Sequence, residues 1–109
     1  MRYRLLARNL PNIAVLLFDT SMHFMIAEGQ LLGRLNLDSV DMEGKIPVDV
    51  FTGERLVTIL TLEQAVLSGQ EVAQQIDEED ICYKVRGVPL FNEEDELFAG
   101  MLVFEEIDV

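Results

Sequence analysis

The 109-residue chain is poor in several residue types, and each shortage removes a class of function. Cys82 is its only cysteine, so no intrachain disulfide and no thiolate metal cluster staples the fold, and thiol redox chemistry has no second partner. Eight basic residues stand against twenty acidic ones, and the formal net charge of -12 repels phosphate backbones and anionic headgroups alike. Nucleic acid and membrane surfaces are therefore not expected partners. The longest uninterrupted apolar run, Ile13 to Phe18, is far too short to span a bilayer, and Met1-Arg2-Tyr3-Arg4 leads into no secretory apolar core. A cytoplasmic protein is expected.

What remains is a chain that is 50% apolar and long enough for one domain, residues 1–109, with a single core. Its clearest local signal is near the end. Two apolar runs, Ile81 to Phe91 and Leu97 to Ile107, flank the acidic turn Asn92-Glu93-Glu94-Asp95-Glu96, a strand-turn-strand pattern. The final strand leads straight to Asp108-Val109, as expected of a fold that hands something on to a partner or a following segment.

At the other end, Tyr3, Leu6 and Leu10 fall at i, i+3 and i+7, an amphipathic cap helix over residues 1–11 that Pro11 ends. The core, residues 12–109, begins with the apolar strand Ile13 to Phe18, turns at Asp19-Thr20-Ser21, and returns through Met22 to Glu28. Short apolar bursts between Gly29 and Gly53, broken by Gly33, Asp38-Ser39, Gly44 and Pro47, predict several short helical turns. Gly53 to Ser68 is the longest helical stretch, with Leu56, Ile59, Leu60, Val66 and Leu67 on one arc and Gly69 beyond its end. Glu63 falls inside that arc. Thr61 and Gln64 also resemble a capping box, which would break the helix and turn Glu63 outward; both readings stay open. Val72, Gln74 and Ile76 alternate as a further strand.

This order requires the first hairpin to join the last three strands in one five-stranded antiparallel sheet, an α+β fold with short helices on one face and the N-terminal cap helix. The first strand and Leu97 to Phe104 are apolar on both sides, so the outer face is expected to be covered as well. Tyr3, Leu6 and Leu10 cover part of it and a second copy the rest, so a homodimer is expected.

In this order, Ala27-Glu28-Gly29, the run Leu37 to Lys45, the helix end Leu67-Ser68-Gly69-Gln70-Glu71-Val72, and Gly100-Met101-Leu102-Val103-Phe104 with Asp108-Val109 resemble the PAS family of sensory domains over essentially the whole chain. The resemblance implies a regulatory input domain of a larger protein, commonly a histidine kinase, a cyclic-di-nucleotide enzyme or a transcription regulator. Asp108-Val109 would begin the short element that joins it to its output module. Locally the chain is similar to photoactive yellow protein. There Glu28 takes the place of the acid that holds a buried chromophore, and Arg34 that of an Arg gating the pocket. The chromophore cysteine would fall near Gly53 and a partner tyrosine is replaced by Phe24, so that chromophore has no attachment. The Asn-Cys-Arg motif of flavin light sensors is absent, and the Gly53 to Ser68 helix offers haem no histidine. The cofactor is left unknown.

A ligand cavity between the inner sheet face and the helices would be lined by Leu16, Phe18, Phe24, Glu28, Leu32, Val50, Leu60 and Tyr83, with Arg34 at its mouth. Each candidate has a plainer reading. Glu28 is also a solvated strand end; His23 is a partly exposed strand residue before it is a pH sensor; Cys82 is an inert small residue before it is a reactive thiol. Asp77 to Asp80 and Glu93 to Glu96 lack the spacing of a calcium loop and read as solvated turns, so no metal is expected. Met22, Met25 and Met101 read as core filler or as an adaptable lining. The function expected is signal sensing, without enzymatic activity. Two other classes stay open: a ligand-free homodimerisation module, and a small isomerase-type enzyme with Glu28 as general base beside Arg34 or Tyr83.

Overall fold

Alternation at period two builds the sheet. In the computed structural model, which describes residue 9 and residues 11–107, strand β1 (Ile13–Asp19) buries Ala14, Leu16 and Phe18 and leaves Ile13, Val15 and Leu17 half-exposed. β2 (Phe24–Glu28) pairs with it across a turn that Asp19 organises: its Oδ1 accepts from the backbone N–H of Ser21 and of His23, both at 2.9 Å. Met22 takes a positive φ of 67° in that turn. The second strand consequently starts at Phe24 rather than at Met22.

β3 (Val72–Asp77), β4 (Cys82–Phe91) and β5 (Leu97–Glu106) complete five antiparallel strands in the order β2-β1-β5-β4-β3. The last strand of the chain is thus the middle strand of the sheet, with Leu102 opposite Leu16 on one side and Gly87 on the other. The acidic turn before it is held by Asn92, whose Oδ1 accepts from the N–H groups of Glu94 and Glu96 at 2.8 and 3.0 Å.

Among the described residues the helical layer has three four-residue helices, α1 (Leu31–Arg34), α2 (Ser39–Met42) and α3 (Pro47–Val50), followed by the fifteen-residue α4 (Gly53–Leu67). Local chemistry starts two of the short ones. Asp38 caps α2 by accepting from Val40 N–H at 3.0 Å, and Pro47 opens α3, where its missing N–H costs nothing. Gly29 (φ +128°) turns the chain from β2 into α1 so tightly that a Cβ there would lie 2.6 Å from Ala14 Cα, a position only glycine fills.

α4 packs across β3, β4 and β5 while α1 rests on β1 and β5. Two glycines let α4 come close: a Cβ at Gly87 would meet Val66 Cγ2 at 2.6 Å, and one at Gly100 would meet Val66 Cγ1 at 2.7 Å. Between the layers one apolar cluster includes Leu16, Phe18, Phe24, Leu31, Val85 and Phe104. Phe24 meets Phe51 edge-on at 6.1 Å and Tyr83 stacks on Phe104 at 5.8 Å. The expected α+β architecture, five antiparallel strands with short helices, is the one observed. The cap helix placed on Tyr3, Leu6 and Leu10 and the joint at Asp108-Val109 lie outside the described residues. No helix among the described residues is long and apolar enough to cross a membrane.

Candidate functional site between α4 and the sheet

The face that α4 turns inward differs from the expected arc. The helix buries Ile59, Leu62, Glu63 and Val66, spaced i, i+3, i+4 and i+7, whereas Leu56, Leu60 and Leu67 are only half-buried at its flanks. The expected arc held Ile59 and Val66, with Glu63 inside it, but took flanking Leu56, Leu60 and Leu67 and passed over Leu62. The helix also runs unbroken through Thr61, whose hydroxyl donates to Val57 C=O at 2.8 Å and so is satisfied inside the helix instead of capping a new one. With no break, Glu63 stays inside.

Glu63 is fully buried, and among the described residues neither Oε1 nor Oε2 has a hydrogen-bond partner. Burial penalises the charged form and lifts its pKa from 4.5 to about 8, so the carboxyl carries its proton at neutral pH. A buried polar group left unpaired is rare enough to call for an explanation. The sequence signal was there, an acid at an apolar helical position, but the capping alternative obscured it.

A second polar cluster was not anticipated. Arg55 on α4 donates from Nε and Nη2 to Glu78, at 3.0 and 2.6 Å, and from Nη1 to Leu35 C=O at 2.9 Å. Tyr83 on β4 donates its hydroxyl to Glu78 Oε2 at 2.7 Å. Arg55 and Glu78 between them thus tie α4, the end of α1 and β4 together. Its bond to Arg55 holds its carboxyl below the usual range against the opposing effect of burial, and burial with the Glu78 contact pushes the Tyr83 phenol up. The run Asp77 to Asp80 reads as a solvated turn, and nothing in it distinguishes the one acid that turns inward.

Of the residues expected to line a cavity, Leu16, Phe18, Phe24, Leu32 and Tyr83 are buried together in the apolar cluster, with Val50 packed half-buried against it. Leu60 sits half-buried at the flank of α4. Glu28 is 3% exposed at the end of β2 and borders a polar surface groove with Gln30, Asp38 and Ser39. Arg34, expected at the pocket mouth, lies at the surface end of α1. Its side chain is 53% exposed and its Nη1 is drawn outward to Glu106 Oε2 at the end of β5. His23 lies exposed beside Asp19, with Nδ1 3.5 Å from its Oδ1. Cys82 donates Sγ–H to Asp77 Oδ1 at 2.7 Å, and that bond pushes the thiol up, away from the reactive thiolate.

The end of β5 gathers connections from both layers. Besides the Arg34 pair, Glu106 N–H donates to Asn12 C=O and Ile107 N–H to Cys82 C=O, both at 2.9 Å. A sheet whose middle strand is the last in the chain, covered by short helices and one long helix, is the PAS arrangement. No family model and no curated protein matches the chain. Among solved structures it is similar to a domain of an HTR-like protein from Haloarcula marismortui, at 17% identity over 89% of this chain and 99% of that one, with a TM-score of 0.68. It is similar to the PAS domain of BvgS from Bordetella pertussis, at 12% identity over 99% and 85% of the two chains (TM-score 0.71). A sensory box sensor histidine kinase from Vibrio cholerae also superimposes, at 12% identity over 99% and 90% (TM-score 0.69). At these identities the likeness is one of fold, and the fold is that of PAS domains.

Proposed function

We propose that this chain is a sensory input domain of a larger signalling protein, binding a small molecule between the helical layer and the sheet and passing the signal on through β5. The observation that carries the reading is the position of that strand. α4 and α1 both rest on β5 while its last residues are tied to α1 by Arg34–Glu106 and to β4 by Ile107–Cys82. A ligand that prefers one packing of the helices over another biases those ties by its differential affinity. The output module, in this reading, is a histidine kinase, a cyclic-di-nucleotide enzyme or a transcription regulator. The role in this reading is one of binding and not of catalysis: the groove that Glu28 borders is lined with Gln30, Asp38 and Ser39, while Arg34 and Tyr83 are engaged with Glu106 and Glu78.

A native mass spectrum of the gently purified protein tests this. The expected result is a stoichiometric small-molecule adduct that is lost on denaturation. A bare mass, together with no thermal shift across a metabolite library, would count against ligand sensing. The same reading makes the domain a homodimer. The outer sheet face carries a row of half-exposed apolar side chains, Val15, Leu17, Val88, Met101 and Val103, which supports pairing there. Sedimentation at tens of micromolar giving a monomer would refute the dimer.

A further inference from the structure

Glu63 has a feature the fold does not use. A carboxyl fully buried in a helix–sheet interface, with both oxygens unpaired among the described residues, destabilises the empty domain, and a donor that met those oxygens would offset the cost. We propose that Glu63 is the anchor for a small, largely apolar ligand carrying a basic nitrogen, an amine or an amidine, bound under α4. This rests on the sensory reading above and names its ligand class.

The case for a nitrogen cation comes from what surrounds the acid. On the elements packed against α4, the titratable and charged side chains are otherwise engaged or turned away. Tyr83 donates to Glu78, Arg55 is held by Glu78 and Leu35 C=O, and Glu106 is paired with Arg34. Asp49 of α3 is exposed, and Lys84 and Arg86 line the outer side of the sheet with Val88, Met101 and Val103. No cation among these described residues is placed to reach Glu63, and the proposal takes the complementary charge from a ligand. An ammonium or amidinium supplies N–H donors to both free oxygens, and an amidinium matches them two to two. The proton Glu63 holds would leave to solvent on binding, giving a carboxylate–cation pair in place of a neutral acid. The net charge of -12 concentrates cations around the domain and repels anionic competitors.

Access follows from the way the helical layer is built. Three of the four helices among the described residues are single turns, shorter than the fifteen-residue α4 beside them. Beyond Glu63, the close seating of Val66 on Gly87 and Gly100 fixes the C-terminal half of α4. In this proposal the ligand enters from the side of these short helices, of which α1 rests on β5.

The test uses benzamidine as probe, benzyl alcohol as its neutral counterpart, and the protein with 13C in its glutamate carboxyl groups. Benzamidine is expected to lower the midpoint of the Glu63 titration by at least one pH unit and to raise the melting temperature. Benzyl alcohol is expected to do neither, and Glu63→Gln to respond to neither. Glu63→Leu, which keeps the interface apolar, serves as the folded control if Glu63→Gln is unstable, and it too should ignore benzamidine. An unmoved Glu63 titration, or an equal benzamidine response in the variants, overturns the proposal. Native mass spectra separate this failure from that of the sensory reading. A retained molecule without nitrogen, or one kept equally by Glu63→Gln, removes the anchor and leaves the sensor; no adduct and no probe response removes both.

Discussion

Replacing Glu63 by leucine should make the empty domain more stable, by an amount that grows with pH. The folded carboxyl titrates at about 8 and the free one at 4.5, because burial disfavours its charge. Its folded pKa is raised, and for an acid this means that the folded state holds a proton the unfolded state has released. Below the lower value both states are protonated and there is no penalty. Between the two values stability falls as pH rises, and above the upper one the loss is complete. At about 1.4 kcal/mol per pH unit, the wild type loses on the order of 3 kcal/mol between about pH 5 and about pH 8. Removing an unpaired buried polar group adds roughly 1 to 3 kcal/mol that does not depend on pH. The variant should therefore exceed the wild type by about 4 to 6 kcal/mol at the alkaline end, roughly 15 °C or more in melting temperature for a domain of this size. The assay is urea unfolding of refolded, ligand-free protein at a series of pH values, wild type against Glu63→Leu. A constant difference across that range, or a less stable variant, would mean that Glu63 is solvated or paired and the reasoning fails.

Other expectations follow from single contacts. Gly29→Ala should be severely destabilising, by more than about 3 kcal/mol, because it adds a Cβ at positive φ against the backbone of Ile13 and Ala14, and thermal unfolding would read it directly. Tyr83→Phe removes the hydroxyl that donates to Glu78 and should cost about 1 kcal/mol, with the protein still folded by near-ultraviolet circular dichroism. Because Arg55 lowers the Glu78 pKa, its contribution is present above the ordinary carboxylate range and is lost as pH falls through the folded value, so Glu78→Gln should flatten the acid limb of a stability–pH curve. Arg34→Ala breaks a pair whose arginine is half in solvent and should cost at most about 1 kcal/mol globally, yet speed amide exchange at Glu106 and Ile107.

How much of this could be read from the residues depends on whether the determining contact is local. The strands were legible because pleating imposes a period of two on Leu16, Phe18, Tyr83 and Val85, and the sheet followed because five such segments leave few pairings. The turn at Asp19 was visible, but its reach to Met22 was not, since that depends on one carboxylate accepting from two backbone groups. The inward face of α4 was read in part: Ile59, Val66 and Glu63 were on the expected arc, while Leu62 was missed and the capping alternative left the orientation of Glu63 open, because an acid argues against its own burial. Arg34 and Glu106 are 72 residues apart in sequence and Arg55 and Glu78 are 23 apart; each pair exists only once the sheet has closed. No local pattern encodes such pairs.

Amide hydrogen exchange on the ligand-occupied and the stripped, refolded protein tests the central claim most directly, because it reads the helices and the end of β5 together. Occupancy is expected to slow exchange in α1 to α4 and, with it, to change protection at Glu106 and Ile107. Protection confined to the helices, with the end of β5 unaltered, would contradict it.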